Sequence, residues 1–175
     1  YWTTIIATTT VGTTLADFAT RSLGIGYAGG SSLLLALLMV SFFVWHRTLG
    51  NISAASITTP KAELFYWVTI MFSQTLGTAL GDWVADTQGF GYVGGAIVFS
   101  GLLLLTVAAY YWTNISRTYL FWAAFILTRP LGAVVGDFLD KPIENGGLAL
   151  DSYTASGILF VIIFGLILAI KQKAS

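Results

Sequence analysis

Long apolar runs, separated by short glycine-rich or polar breaks, fill this chain. A membrane-crossing helix needs about 20 mainly apolar residues. Six stretches meet that length, at roughly 1–21, 28–46, 64–86, 92–113, 118–140 and 152–170. They fall in pairs, so each pair reads as a helical hairpin. The break inside the first two pairs is glycine-rich, GIGYAGG and GFGYVGG. Inside the third it is LDKPIENGGLALDS, with Pro142 and Gly146-Gly147 as helix breakers. Between pairs lie RTLGNISAASITTPKAE (47–63) and the short Asn114-Ile115-Ser116-Arg117. Pro60, followed by Lys61 and Glu63, marks the start of the third helix.

The pairs are copies of one another. With Tyr1-Trp2 laid on Tyr66-Trp67, Gly12 falls on Gly77, Asp17 on Asp82, and Gly24-x-Gly26-Tyr27 on Gly89-x-Gly91-Tyr92. With Trp2 laid on Trp122, Thr8 meets Thr128, Gly12 meets Gly132 and Asp17 meets Asp137. Ungapped agreement of this kind is the signature of a repeat architecture. The repeats cover approximately 1–47, 65–113 and 118–171. A unit with an even number of helices re-enters the membrane in the same orientation, so these are parallel repeats about an axis along the membrane normal. The fold expected is an all-α polytopic membrane helical bundle: one transmembrane domain over 1–175, with six transmembrane helices in three parallel two-helix repeats.

Composition sharpens this picture. The chain is 56% hydrophobic and 9% charged, with mean hydropathy +0.80, against about 25% charged residues in a soluble domain. The lipid bilayer is therefore the expected partner. Zero net charge and the lack of any basic run argue against nucleic acid. With no cysteine and a single histidine, His46, thiolate sites and histidine clusters are excluded. His46, beside Arg47, reads as a solvated helix end. No nucleophile elbow, HExxH or phosphate-binding loop occurs, and the GxGYxGG turns only mimic a dinucleotide fingerprint. An enzyme is not expected.

Charge also orients the chain. Arg47, Lys61, Arg117, Lys171 and Lys173 lie on the side of the termini and inter-repeat connectors, with Glu63. Asp17, Asp82, Asp86, Asp137, Asp140, Glu144 and Asp151 lie on the other side, with Arg21 and Lys141. Basic residues favour the cytoplasm. The termini are thus expected to be cytoplasmic and the acidic turns to face the periplasm or exterior. Trp2, Trp45, Trp67, Trp112, Trp122, Tyr27 and Tyr92, at helix ends, read as interfacial anchors.

The candidate chemistry lies on the first helix of each repeat. Counting back by helical spacing gives Asp17, Thr13, Thr10 and Thr9, then Asp82, Thr78, Thr75 and Gln74, then Asp137, Ala133, Pro130 and Arg129. Polar groups at membrane depth must face protein or a water-filled cavity. Hydroxyl and amide oxygens leading to a carboxylate resemble the lining of a cation path. Asp82 and Asp86 share a face, and Asp17, Asp82, Asp86 and Asp137 together could hold a divalent cation or relay protons. The structural alternatives are plain. Gly77-x-x-x-Gly81 and Gly132-x-x-x-Gly136 are helix-packing patterns, with Gly12-x-x-x-Ala16 a weaker copy. The threonines can bond their own backbone, and the aspartates can be interfacial caps. Arg129, near mid-membrane beside Pro130, either neutralises Asp17 or Asp82 or binds an anionic substrate. Pro130 is expected to kink its helix.

The chain resembles a bacterial family of integral membrane proteins of uncharacterised function built from a two-helix repeat. The residues carrying the resemblance are VGTTLADFATRSLGIGYAGG (11–30), PKAELFYWVTIMFSQTLGTALGDWVAD (60–86) and FWAAFILTRPLGAVVGDFLDKP (121–142). The resemblance implies four repeats and eight helices, with a further hairpin before Tyr1. It supplies no catalytic or binding residues.

The function expected from the residues is a transporter or channel for a small cation, a divalent metal or proton-coupled. Asp17, Asp82, Asp86 and Asp137 would carry it, Thr13, Thr78 and Gln74 would line the path, and Arg129 would be the charge partner. The alternative is a non-transporting accessory or scaffold subunit of a larger membrane complex. A weaker third is a binder of lipid or a hydrophobic cofactor between hairpins. A homo-oligomer or membrane-complex partners are the assemblies expected, and a clean isolated homo-oligomer would count against the accessory-subunit reading.

Overall fold

The structure, a computed structural model, describes residues 2–22, 24–54, 57–87 and 89–169. The readings placed on Tyr1, Lys171 and Lys173 lie outside the described residues, as does the side chain of Trp2. Among the described residues there are six α-helices: α1 (Trp2–Asp17), α2 (Gly26–Leu49), α3 (Pro60–Asp82), α4 (Gly91–Trp112), α5 (Arg117–Asp140) and α6 (Ser152–Ala169). Each coincides with one expected span. Two π-helical turns, Phe18–Ser22 and Trp83–Thr87, follow α1 and α3 at equivalent places. The pattern of apolar residues had merged them with the helices they extend.

Local chemistry explains the helix ends. Thr59 accepts from the Ala62 N–H at 3.2 Å and Pro60 occupies the first turn, where its missing N–H costs nothing. Gly50 ends α2 with φ 75° and its N–H donates to the His46 carbonyl at 2.8 Å. The GxG breaks have Gly24, Gly26, Gly89 and Gly91 at φ 62–71°, a region that L side chains resist. Before α6, Asp151 accepts from the Thr154 hydroxyl at 2.5 Å and the Thr154 N–H at 3.1 Å. Those bonds hold its carboxyl below the ordinary range. Asp140 accepts from the Ser152 hydroxyl at 2.8 Å. Two of the acidic-side carboxylates thus bond α6 residues at the start of that helix.

Among the described residues, three helices are long and apolar enough to cross a membrane: Gly26–Leu49, Gly91–Trp112 and Arg117–Asp140. Ser152–Leu166 is a shorter apolar stretch. The chain is a membrane protein on this ground. α3 is long enough at 23 residues but is diluted by threonine, serine, glutamine and charge. The packing accounts for that. α3 lies at the centre, with α1 and α5 on either side of it and α2 against it. Thr69, Ile70, Ser73, Gln74 and Thr75 are all buried, so little of that part of α3 meets lipid.

The repeats do not fold as independent hairpins. α1 reaches α2 chiefly through the turn Phe18–Ser22, and α3 reaches α4 chiefly through Trp83–Thr87. The extensive contacts join the second helix of one repeat to the first helix of the next, α2 on α3 and α4 on α5. The Ser41 and Thr69 hydroxyls bond at 2.6 Å across the first of these interfaces. Leu34 and Leu38 share its core with Leu76 and Ala79. Tyr92 and Phe99 share the second core with Val134.

Several expected anchors belong to these cores. Trp45 is 1% exposed, Trp122 3% and Tyr92 6%. Trp122 donates from Nε1 to the Ile52 carbonyl at 2.8 Å. Phe42 and Trp45 meet its ring edge-to-face, with centroids at 5.0 and 5.7 Å. An indole takes such a buried place when its N–H finds an acceptor. Trp112, 85% exposed, keeps the character of an anchor. Pro130 is fully buried inside α5, which runs through it as one helix.

Candidate functional site

α1, α3 and α5 place their polar stripes around one cavity of about 490 Å³. Asp17, Asp82 and Asp137 line it, one from the same position of each repeat. Thr9 and Thr13 of α1, Gln74 and Thr78 of α3, and Thr128 and Arg129 of α5 line the part toward the helix middles. The packing of α1 and α5 on α3 brings these three helical faces together. A cavity with this many hydroxyl, amide and charged groups holds water readily.

The threonines use their donors locally. Thr13 bonds the Thr9 carbonyl at 3.1 Å and Thr78 the Gln74 carbonyl at 3.4 Å. Their lone pairs are left for an incoming group. Gln74 donates from Nε2 to Thr8 Oγ1 at 3.2 Å. Its Oε1 is buried and has no hydrogen-bond partner among the described residues. A buried acceptor without a donor is costly, so this atom calls for a water or a cation.

Two cations stand among the carboxylates at the mouth. The Arg21 guanidinium lies 3.5 Å from Asp17 and 3.6 Å from Asp82, and Lys141 Nζ lies 4.0 Å from Asp137. Arg21 also donates to the Tyr27 hydroxyl at 3.3 Å. These are long, partly exposed pairs, worth about 0–1 kcal/mol each. They can open at little cost. A second hollow of about 420 Å³ shares Arg21, Asp82, Asp137 and Lys141 with the first and adds Asp86, Tyr92 and Asn145. Asp86, within the π-turn, thus sits at the outer hollow rather than on the stripe with Asp82. Arg129 lines the inner cavity, its guanidinium 5.3 Å from the Phe125 ring centre.

Three aspartates meet at one cavity because one sequence unit occurs three times, and that unit is a known one. The profile of a repeat of unknown function, DUF347, matches residues 1–51, 65–116 and 120–173. The chain belongs to the DUF347 repeat family. No curated protein and no solved structure matches it. Each DUF347 unit comprises one stripe-bearing first helix and one apolar second helix.

Within the DUF347 units, Asp17, Asp82, Asp137, Thr13, Thr78, Gln74 and Arg129 all line the inner cavity. Thr75 and Pro130 do not. Thr75 is buried beside Gly12, and Pro130 lies against Gly77 and Gly81. Nor do the four aspartates form a metal centre as a set. Among the described residues no three carboxylate or imidazole groups come together to hold one ion. The cause is the arc of helices, which spaces the carboxylates around a wide cavity. The residues missed from sequence are Arg21 and Lys141, each four places after a repeated aspartate. That i,i+4 spacing puts the pair side by side on a helix, and it was the available signal.

Proposed function

We propose that this DUF347 protein is a transporter or channel for a small cation, with the α1–α3–α5 cavity as its path. One observation carries the reading: aspartates at the same place in three repeats, Asp17, Asp82 and Asp137, line one cavity together with Gln74 and threonine hydroxyls. Carboxylates at a polar mouth raise the local concentration of cations, and hydroxyl and amide oxygens can replace part of a hydration shell. The volume and the dispersed carboxylates suit an ion that keeps much of its water, or a proton moving between carboxylates, better than a dry metal site. Arg21 and Lys141 act as tethered counter-charges that the arriving cation displaces from Asp82 and Asp137. The reading includes six membrane spans in a bacterial inner membrane, with cytoplasmic termini and a periplasmic cavity mouth. Transport, not catalysis, is the activity.

Reconstituted vesicles test it. A wild-type cation flux should fall at least tenfold in Asp82→Asn, with the thermal transition of the purified protein retained. Flux at the wild-type level in a folded Asp82→Asn protein, across mono- and divalent cations and protons, would overturn the reading. The alternative is a non-transporting accessory subunit of a larger membrane complex. Its mark would be stable co-purification with other membrane proteins and no flux.

A further inference from the structure

The repeat sets a ladder of equivalent positions down the first helices, each rung four residues from the last. Asp17, Asp82 and Asp137 form one rung, and Thr13, Thr78 and Ala133 the next. Thr9, Gln74 and Arg129 follow. All of these line the inner cavity. The rung after them changes character. It is Ile5, Ile70 and Phe125, and none of the three lines that cavity. Ile70 is fully buried in the larger core, and Ile5 and Phe125 pack against the same core. One further step of four, from Ile70 and Phe125, reaches Tyr66 and Phe121. These two line a separate hollow of about 370 Å³ on the side of the inter-repeat connectors, together with Ser53, Ala54, Arg117 and Thr118.

Residues four apart share a helix face, and four residues rise about 6 Å. The last polar rung and the connector-side hollow therefore lie about 12 Å apart along the helices, with the apolar rung midway between them. Phe125 is held there from both directions. Its ring stacks on Phe121 with centroids at 6.0 Å, and the Arg129 guanidinium lies 5.3 Å from its centre. A cation over an aromatic face is attracted to it, so Arg129 holds Phe125 beneath the polar cavity. An apolar constriction between two wet spaces excludes water, and with it ions.

We propose, on the reading of the inner cavity as a path, that Ile5, Ile70 and Phe125 form its gate and that the hollow at Tyr66 and Phe121 is its second mouth. In the structure the gate is shut. α5 supplies the movable side. Pro130 removes the helical hydrogen bond to the Ile126 carbonyl, so α5 bends most easily between Phe125 and Asp137. A bend there swings Phe121 and Phe125 together away from Ile5 and Ile70.

Because the chain has no cysteine, single cysteines labelled by a membrane-impermeant thiol reagent test the gate without a transport assay. Asn114→Cys on a connector and Glu144→Cys on the acidic side mark the two faces of the membrane, and both positions are exposed. Thr128→Cys reports on the inner cavity and Thr118→Cys on the connector-side hollow. In reconstituted vesicles Thr128→Cys should be labelled from the Glu144 face alone, and Thr118→Cys from the Asn114 face alone. Adding Phe125→Ala should raise Thr128→Cys labelling from the Asn114 face at least tenfold. Ile5→Ala, a smaller truncation on α1, should raise it in the same direction and serves if Phe125→Ala does not fold. Phe99→Ala removes an equal ring from the other core and should give no gain. No gain from either gate variant, or an equal gain from Phe99→Ala, would overturn the gate and leave the path reading standing. Labelling of Thr128→Cys from both faces of the otherwise unchanged chain would do the same. Thr128→Cys silent from both faces would overturn the path reading and the gate with it.

Discussion

Trp122 shows how much a single side chain can decide. It fills the centre of an aromatic cluster and ties α5 to the 50s connector through its bond to Ile52. Trp122→Ala should cost about 3–5 kcal/mol, and Trp122→Phe about 1–3 kcal/mol because the Ile52 carbonyl loses its donor. Denaturant unfolding in detergent would measure both, and near-neutral values would return Trp122 to the role of a lipid-interface anchor. Two glycines give a sharper contrast. An alanine methyl at Gly77 collides with Arg129, whereas one at Gly132 has open space. Gly77→Ala should cost about 1–3 kcal/mol by overpacking. Gly132→Ala should leave the unfolding transition in place. Equal thermal shifts for the two would refute the assignment of their faces. From sequence these glycines were the same motif. Only the neighbour that each meets separates them.

At the scale of elements, the apolar lengths and glycine breaks located six helices, since membrane helices must satisfy their backbone internally. The π-turns after Asp17 and Asp82 left no mark, because one extra residue in a turn does not disturb an apolar run. The pairing of elements was also hidden. Adjacent helices joined by a tight turn read as a hairpin, yet α2 packs on α3 and α4 on α5. The Ser41–Thr69 bond reports on this. A double-mutant cycle with Ser41→Ala and Thr69→Val should give a coupling of about 0.5–2 kcal/mol, in the range of hydrogen bonds between membrane helices. A coupling of zero would show that the two helices do not hold that register in the membrane.

At the scale of the whole molecule, the arc of first helices makes a site that no single repeat contains. The sequence alone determined the membrane class, the repeat, the six helices and the polar face of each first helix, because hydropathy and a 3.6-residue period are local properties. It also placed the aspartates at equivalent positions. Tertiary structure decided which faces meet. It took Trp45, Trp122 and Tyr92 into cores, turned Thr75 and Pro130 into packing contacts, and brought Arg21 and Lys141 to the carboxylates. It set three aspartates around one cavity without gathering them into a metal centre. Those outcomes depend on which helices are neighbours and on how closely small residues let them approach. Both are properties of distance between segments, and a linear pattern does not contain them.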